Sequence, residues 1–311
     1  MDIALIRTFL EVAASGSFAH AADRLFVTQS AVSLRVKRLE DTLGKPLFTR
    51  SKAGAEMTPA GIAFHGYATS LVRVWEEARQ QVAIPEGFSR AISIGAEYSL
   101  WPRLGFRWID ALRSNAPDLS VRADLGMSDR LTRFLVEGAL DAALLYAPQL
   151  RPGLTAHQAL EDELVLVAGW PDPTLDLGAR YVFVDWGPEF VQAHAAELGT
   201  LTHTGLTLSL GAMASRYVVS RRLAAYLPAR TIKPDLDAGR LHLVPEAPVF
   251  PYPAWAVFRD DIEPDLADLA RETLAATARR GEAETEAVMD TLEEISEAQL
   301  HTLGDLPPPH P

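Results

Sequence analysis

Side chains that can read nucleic acid are concentrated in residues 28–50, TQSAVSLRVKRLEDTLGKPLFTR. The amide of Gln29 can pair bidentately with an adenine, and Leu34 can contact a thymine methyl group. The short hydroxyls of Ser30 and Ser33 can reach bases or phosphates, and the basic side chains can reach phosphates. The pattern predicts a surface that contacts duplex DNA. Its candidate contact residues are Thr28, Gln29, Ser30, Ser33, Leu34, Arg35, Lys37, Arg50 and Lys52.

Three short helices are predicted to position these residues. Apolar side chains recur at helical spacing in residues 3–15, and Ser17 can N-cap a second helix over FAHAADRLF. Thr28 can N-cap a third helix that runs from Gln29 to Leu43 and stops at Gly44. The third helix has an apolar stripe, formed by Val32, Val36, Leu39 and Leu43, opposite its small, polar and basic face. Such an arrangement is typical of a helix-turn-helix.

A wing and a long helix are predicted after the third helix. Residues 45–59, KPLFTRSKAGAEMTP, place two short apolar stretches around a basic, Gly-containing tip. Thr58 and Pro59 form a strong helix start, and the helix is predicted to reach about Ala83. Its apolar seam consists of Phe64, Leu71, Trp75, Ala78 and Val82. We interpret the seam as a dimer contact, with packing on its own domain as the alternative.

Charge and composition indicate the broad class of protein. The formal net charge is −12, but residues 1–60 carry eight basic and six acidic side chains, whereas residues 260–311 carry three and fourteen. The acidity of the tail therefore does not argue against a nucleic-acid partner. The chain has no cysteine, no apolar run of membrane-spanning length and no basic start typical of a signal peptide. A cytoplasmic protein without a membrane partner is expected.

From Arg90 onward the pattern predicts strands that alternate with helices, in open and mostly parallel sheets. The predicted strands are AISIGA, LSVRADLG, LDAALLYA, ELVLVAG, YVFVDW, AAYLP, LHLVP and AWAVFR. Two subdomains are expected, with crossings at residues 160–165 and 255–262. The acidic stretch after Gly281 has only a weak helical stripe, and its Pro-rich end is predicted to be disordered.

Ser99 and Ser128 each stand where a predicted strand gives way to a helix. A serine there is either a simple N-cap or part of a site where free N–H groups bind a polar or anionic metabolite. The charge of Glu97 disfavours an anion nearby. A ligand like an amino acid would suit both features, since its amino group could pair with Glu97 and its carboxylate with the N–H groups. His194 and His203 flank Glu197 at a spacing that does not suit a metal, and no catalytic motif is present. The sequence therefore predicts no metal site and no enzyme activity.

The segment LIRTFLEVAASGSFAHAADRLFVTQSAVSLRVKRLEDTLGKPLFTR, followed by MTPAG, resembles the N-terminal domain of LysR-type transcriptional regulators. The resemblance covers roughly residues 1–280. It implies a winged helix-turn-helix over residues 1–58, a linker and dimerisation helix over 59–86, and an α/β effector domain of two subdomains over 87–280. That domain is similar to periplasmic solute-binding proteins. Residues 281–311 would form an acidic extension.

The resemblance also implies partners. It implies binding to double-stranded promoter DNA, a small polar or anionic co-inducer rather than a fixed cofactor, and a dimer of dimers. The implied effector-site residues are Tyr98, Ser99, Ser128, Trp186 and Ser209. Ser30 and Leu34 differ from the family's usual residues, which predicts a different DNA sequence preference. Ser220, Arg221 and Arg222 replace glycines that usually stand near the pocket wall.

Three functional hypotheses follow from the sequence. The first is a ligand-responsive transcription factor. The second is a DNA-binding architectural protein whose C-terminal domain only oligomerises. The third is an enzyme built on a solute-binding-like fold. Specific, salt-dependent DNA binding separates the first two from the third, and a ligand-dependent change in DNA binding separates the first from the second.

Overall fold

Three helices and a two-stranded hairpin form the N-terminal domain of the computed structural model, which describes residues 2–51, 54–201, 205–211 and 213–304. Its elements are α1 (Ile3–Ser15), α2 (Phe18–Arg24), α3 (Gln29–Leu43), β1 (Phe48–Ser51) and β2 (Gly54–Met57). The predicted caps are confirmed, because the Ser17 and Thr28 hydroxyls accept hydrogen bonds from backbone N–H groups and Gly44 closes α3. Helix α2 is shorter than predicted, because Phe26 adopts a left-handed φ of 54°.

Aromatic and aliphatic side chains from every helix fill the core of this domain. The ring of Phe9 lies 5.2 Å from the rings of both Phe48 and Phe64, measured between centroids. The stripe of α3 is buried as predicted at Val32, Val36 and Leu39. Leu43 is the exception, since it is 39% exposed. The last turn of α3 therefore extends past the core.

Helix α4 (Pro59–Val82) leaves the N-terminal domain as a rod of 24 residues, about 36 Å long. One face, with Ala68 and Val72, is fully buried against the core of the domain. Beside this buried face, large apolar side chains form a stripe that the described chain does not cover. Its exposed members include Tyr67 (72%), Leu71 (38%), Val74 (59%), Trp75 (48%) and Val82 (88%).

A five-stranded sheet with the strand order β4–β3–β5–β13–β6 forms the first α/β lobe, lobe I. Its strands are β3 (Arg90–Ala96), β4 (Leu119–Leu125), β5 (Ala142–Leu145), β6 (Leu154–Leu160) and β13 (Ala254–Arg259). Strand β3 is parallel to β4 and β5, whereas β13 is antiparallel to β5 and β6. Helices α5 (Phe106–Asn115) and α6 (Ser128–Val136) belong to this lobe.

The second lobe, lobe II, is organised around β7 (Glu163–Ala168). Strand β7 pairs antiparallel with β10 (Ala224–Pro228), β11 (His242–Leu243) and β12 (Phe250–Pro251). The expectation of mostly parallel sheets is therefore wrong for this lobe. A fully buried apolar run is compatible with either strand direction, so the sequence pattern could not decide between them.

Lobe II also contains a short parallel pair and three helices. The remaining elements of the lobe are β8 (Phe183–Val184), α7 (Pro188–Glu197), β9 (Thr207–Leu208), α8 (Met213–Arg221) and α9 (Ala229–Asp237). Predicted strands YVFVDW and LHLVP are present but shortened to two residues each. Strand β6 was not predicted, because its residues are mostly half-buried or exposed and lack an apolar run.

Two short connections join the lobes in the described part of the chain. The first crossing is at residues 161–162, between β6 and β7, within the predicted range. The second is at residues 252–253, so the prediction of residues 255–262 is wrong. Strand β13 occupies most of that range and is an interior strand of lobe I. Its apolar sequence AWAVFR reflects this burial rather than a connection.

One helix, α10 (Pro264–Gly304), packs on both lobes. Ala270 and Leu274 are buried in the core of lobe I, and Val288 and Leu292 are buried in the core of lobe II. The predicted boundary at residue 281 lies inside this helix, which is continuous through it. The Pro-rich end, residues 305–311, lies outside the described residues. No helix in the described part of the chain is long and apolar enough to span a membrane.

Candidate DNA-binding surface and interlobe cleft

The outward face of α3 brings the predicted base-contacting residues together. Gln29, Ser30 and Lys37 are exposed, Leu34 is 50% exposed, and Ser33 is half-buried between them. These positions are three or four residues apart and therefore share one face of the helix. A helix with small side chains at this face can approach the floor of a DNA major groove.

Two other predicted contact residues flank this face. Thr28 is exposed, but its hydroxyl is already used to cap α3 and lies 3.0 Å from the Ser30 hydroxyl. The guanidinium of Arg35 is half-buried and directed toward the Thr8 hydroxyl, at 3.5 Å. Arg35 is therefore positioned beside the domain core as well as beside the DNA-facing surface.

The hairpin β1–β2 is the predicted wing. Its strands pair antiparallel with Phe48 opposite Met57, and the N–H group of Ala55 donates to the Gly16 carbonyl over 2.8 Å. Gly54 is required here because a Cβ atom would lie 2.6 Å from that same carbonyl oxygen. Arg50 belongs to β1, but its side chain is outside the described part of the structure, and Lys52 lies entirely outside the described residues.

A buried charge cluster joins the N-terminal domain to lobe I. Glu11 is only 6% exposed, and its carboxylate accepts from Arg24 at 3.1 Å and from Arg133 of α6 at 2.7 Å. Burial raises the pKa of the neighbouring Glu137, which the charge of Arg133 partly offsets. The sequence did not predict the pairing of Glu11 with Arg133, because the two residues are 122 positions apart.

Helix α4 is also attached to lobe I by polar contacts. Arg259 donates to Glu77, and Arg73 lies 3.2 Å from Asp261. The side-chain amide of Gln80 donates to the carbonyls of Gly138 and Ala139 at 3.2 and 3.1 Å. The linker helix and lobe I of one chain are therefore held together along the last three turns of α4.

Ser99 and Ser128 lie near each other at the ends of β3 and β4, but neither hydroxyl caps a helix. Ser99 is the middle residue of a single 3₁₀ turn, Tyr98–Leu100, and the regular helix α5 starts only at Phe106, later than predicted. The Ser128 hydroxyl donates instead to the Glu97 carboxylate. The same carboxylate oxygen, Oε1, accepts from the N–H group of Tyr146 at 3.1 Å.

The environment of Glu97 perturbs its protonation. Burial raises the pKa of the Glu97 carboxyl above its ordinary value, while the hydrogen bonds from Ser128 and Tyr146 oppose that rise. The charge of nearby Asp129 raises the pKa further. Glu97 is thus a half-buried acid whose ionised form lacks a cationic partner among the described residues.

Aromatic rings from both lobes and the second crossing meet beside Glu97. Tyr146 follows β5 in lobe I and stacks on Tyr252, with a centroid distance of 4.1 Å. Trp186 of lobe II packs edge-to-face on Tyr252 at 5.3 Å. Burial raises the pKa of Tyr146 to about 12, and the charge of Glu97 contributes a small part of the rise. We call Tyr146, Trp186 and Tyr252 the aromatic cluster.

A fully buried ion pair contacts the aromatic cluster. The Arg230 Nε donates to Asp162 at 3.0 Å, and neither side chain is exposed. Arg230 Nη2 donates to the Tyr146 hydroxyl at 3.2 Å, whereas Nη1 has no hydrogen-bond partner among the described residues. Asp162 occupies the first crossing and Tyr252 the second, so this group lies where the lobes are connected.

The structure places the five predicted effector-site residues in three different locations. Ser99, Ser128 and Trp186 are near or within the group formed by Glu97 and the aromatic cluster. Tyr98 is 44% exposed and lines a separate pocket of about 340 Å³ beside edge strand β4. Ser209 is exposed just after β9.

Sequence reasoning missed Tyr146, Asp162, Arg230 and Tyr252. Asp162 and Tyr252 lie at the crossings between the lobes, which was the available signal for these two residues; Tyr146 and Arg230 lie elsewhere in the sequence. A second pocket, of about 320 Å³, lies between β11, α9 and α10, away from Glu97.

Of the two histidines that flank Glu197, the structure describes His194. The ring of His194 is buried in lobe II, where its Nε2 lies 2.7 Å from the Tyr181 hydroxyl and burial lowers its pKa. His203 lies outside the described residues. Within the described part of the chain, no three His, Cys, Asp or Glu side chains are grouped closely enough to hold a metal ion.

A winged helix-turn-helix, a long linker helix and a two-lobed α/β domain together define a class of bacterial DNA-binding regulators. The family model for the bacterial regulatory helix-turn-helix protein, lysR family, matches residues 3–62, and the LysR substrate binding domain matches residues 85–279. The chain is also similar to the HTH-type transcriptional regulator HdfR of Escherichia fergusonii, at 31% identity over 83% of this chain and 92% of HdfR. It belongs to the LysR family of transcriptional regulators.

Solved structures of full-length regulators share the fold. A full-length OxyR variant from Pseudomonas aeruginosa aligns with a TM-score of 0.54 at 22% identity, over 90% of this chain and 97% of that one. LysG from Corynebacterium glutamicum with bound effector Arg aligns with a TM-score of 0.54 at 20% identity, over 90% and 99% of the two chains. Helix α10 continues beyond the matched substrate binding domain, which ends at residue 279.

Proposed function

We propose that this protein is a sequence-specific transcriptional regulator whose promoter binding is modulated by a small molecule bound between its two α/β lobes. The observation that carries the proposal is the face of α3, where Gln29, Ser30, Ser33, Leu34 and Lys37 are together and accessible beside the wing. Amide, hydroxyl, methyl and ammonium groups on one narrow helix face supply both base and phosphate contacts.

Coupling between ligand and DNA has two physical routes in this chain. Lobe I is attached to α4 through the contacts of Glu77, Gln80 and Arg73, so a rotation of lobe I reorients the linker helix. Lobe I also contacts the N-terminal domain directly through Arg133 and Glu11. A ligand that binds one lobe arrangement more tightly than another would shift the position of α3 relative to a second copy.

Assembly through α4 supports such a mechanism. The uncovered apolar face of α4, with Tyr67, Leu71, Val74, Trp75 and Val82, suits a second copy of the same helix. Two α3 helices in one dimer would then contact half-sites about one helical turn of DNA apart, or a multiple of it. In this proposal two such dimers associate further into a tetramer.

Genomic binding and ligand response together test the proposal. Purified full-length protein is incubated with sheared DNA of its own genome, and the retained fragments are sequenced and footprinted at several salt concentrations. We expect a small set of sites with a shared inverted repeat and an affinity that falls with salt. Uniform retention of all fragments would instead favour the architectural alternative, as would a footprint that no metabolite mixture changes.

A further inference from the structure

We propose that the ligand of the interlobe cleft is a small organic cation whose ammonium or guanidinium group pairs with Glu97. This inference rests on the proposed function and specifies the chemical class of its effector. It reverses the expectation of an anionic metabolite that Ser99 and Ser128 suggested from the sequence.

The protein's own carboxylate already occupies the position where an anion would bind. Glu97 Oε1 accepts from both donors that converge there, the Ser128 hydroxyl and the Tyr146 N–H group. An incoming carboxylate would find these donors used and would meet a like charge at short range. The second oxygen, Oε2, accepts no hydrogen bond from the described residues and is free for a ligand donor.

The charges around Glu97 leave an unneutralised negative centre. Asp129 lies close enough to raise the pKa of Glu97 and has no ion-pair partner among the described residues. The guanidinium of Arg230, which donates to the Tyr146 hydroxyl, is neutralised by Asp162 in the buried ion pair. A cationic ligand would therefore supply the missing charge, whereas an anionic ligand would add a third unpaired negative charge.

The aromatic cluster supplies a second feature that suits a cation. The rings of Tyr146 and Tyr252 are stacked, and Trp186 meets Tyr252 edge-on. Aromatic faces attract ammonium and guanidinium groups, and the attraction strengthens where water is excluded. A half-buried carboxylate beside three aromatic rings is therefore better matched to an organic cation than to a carboxylate.

The nitrogen Nη1 of Arg230, which has no hydrogen-bond partner among the described residues, indicates which group the other end of the ligand can carry. Nη1 is fully buried and has no partner in the described structure, while Nη2 of the same group contacts the Tyr146 hydroxyl. An oxygen acceptor at the far end of an amine would satisfy Nη1 without approaching Glu97. Extended amines with and without such an oxygen are therefore both included in the test.

Calorimetry with full-length protein compares matched ligands. The cations are cadaverine and L-lysine, which differ only in a carboxylate, together with agmatine and L-arginine, which differ in the same way. The anions are succinate and glutarate. We expect saturable binding of at least one cation and none of the anions. Saturable binding of an anion, or of no cation, would overturn the proposal.

Three variants assign the binding to Glu97. Glu97→Gln should weaken cation binding about tenfold or more, because it removes the charge but keeps the side-chain size. Ser128→Ala keeps the charge and should weaken binding only a few-fold. Asp110→Asn, an exposed acid on α5, is the matched control and should bind like wild type. Cation binding that survives Glu97→Gln contradicts the assignment.

Specific DNA binding is measured with the same samples. Near-UV circular dichroism is also compared, because a retained footprint reports only on the N-terminal domain, whose core is separate from those of the lobes. In a variant with the wild-type spectrum, a loss of cation binding cannot be attributed to unfolding of the lobes. If wild type recognises its genomic site but binds no cation, the ligand class is wrong and the regulator function stands. If wild type shows no site preference in DNA, the proposed function itself fails, whatever the calorimetry gives.

Discussion

At the residue scale, the proposed recognition of DNA and of a ligand depends on a few side chains. On α3, Gln29 is exposed and free to present its amide, and the neighbouring side chains are small enough not to obstruct it. Between the lobes, Glu97 Oε1 accepts hydrogen bonds from Ser128 and Tyr146, whereas Oε2 accepts none from the described residues. In both places, a donor or acceptor that the protein does not use itself would be available to the proposed partner.

Gln29→Ala is expected to reduce affinity for the preferred DNA site by about 1–3 kcal/mol and to relax the base preference at one position. Lys37→Ala should instead weaken binding to every sequence and reduce the slope of the salt dependence by about one. Fluorescence anisotropy with specific and scrambled duplexes measures both effects. Gln192→Ala, an exposed glutamine on α7, is the control. An unchanged ratio of specific to nonspecific affinity in Gln29→Ala would exclude Gln29 as a base contact.

The raised pKa of Glu97 predicts a pH-dependent stability. The folded protein holds this carboxyl protonated more readily than the unfolded chain does, so its stabilising contribution is complete below about pH 4.5 and is lost as the pH rises through the raised pKa. Glu97→Gln removes this loss. Without ligand, the urea midpoint of the variant relative to wild type should therefore be higher at pH 8 than at pH 5. A difference that is constant with pH would contradict the shift.

At the scale of elements, signals from neighbouring residues were sufficient to predict the bounds of a helix. They were not sufficient to predict which distant elements pair with each other. The bounds of α3 followed from Thr28, Gly44 and a helical period, all of which act within a few residues. The antiparallel sheet of lobe II and the aromatic cluster depend instead on pairings such as that of Tyr146 with Tyr252, more than 100 residues apart. Periodicity carries no information on such partners.

Trp75→Asp in α4 is expected to release monomers, because it places a charge in the middle of the uncovered apolar face. Gln192→Asp introduces the same charge on the exposed surface of α7, away from α4, and should leave the oligomer intact. Sedimentation velocity over a range of protein concentrations distinguishes the two. If Trp75→Asp sediments like wild type, this face of α4 is not the interface.

The second half of α10 is expected to be essential for lobe II. Leu292 is buried in its core, so Leu292→Ala should lower the free energy of unfolding by about 2 kcal/mol or more. Glu293→Ala, on the exposed side of the same turn, is the control and should change it by less than about 0.5 kcal/mol. Thermal unfolding followed by circular dichroism measures the difference. Equal melting of both variants would show that this part of α10 does not contribute to the lobe.

At the scale of the whole molecule, the DNA-binding domain is coupled to the effector domain by more than the linker helix. Glu11 of α1 is shared between Arg24 in its own domain and Arg133 in lobe I. Glu76 of α4 is similarly shared between Arg7 and Arg79. These carboxylates lie at the junction of three parts of the chain, so a change in one part alters the electrostatics of the others.

A double-mutant cycle tests this junction. Glu11→Gln and Arg133→Gln, singly and combined, should reveal a coupling energy of about 0.5–2 kcal/mol in the stability of the full chain. The value is modest because Arg133 remains 38% exposed. Arg130→Gln, on the same helix but not in contact with Glu11, should show no coupling. Strict additivity of Glu11→Gln and Arg133→Gln would mean that the domains are not linked through this pair.

The position of α10 has a consequence for how the protein is made. The core of the DNA-binding domain is complete once Val72 has left the ribosome, whereas both lobes require residues of α10 that are synthesised last. At about 5–20 residues per second, the intervening synthesis takes on the order of 10 to 50 s. During this time a nascent chain can hold a folded DNA-binding domain while both lobes lack buried side chains. A message truncated before α10 would therefore encode a competitor for promoter sites that no effector can control.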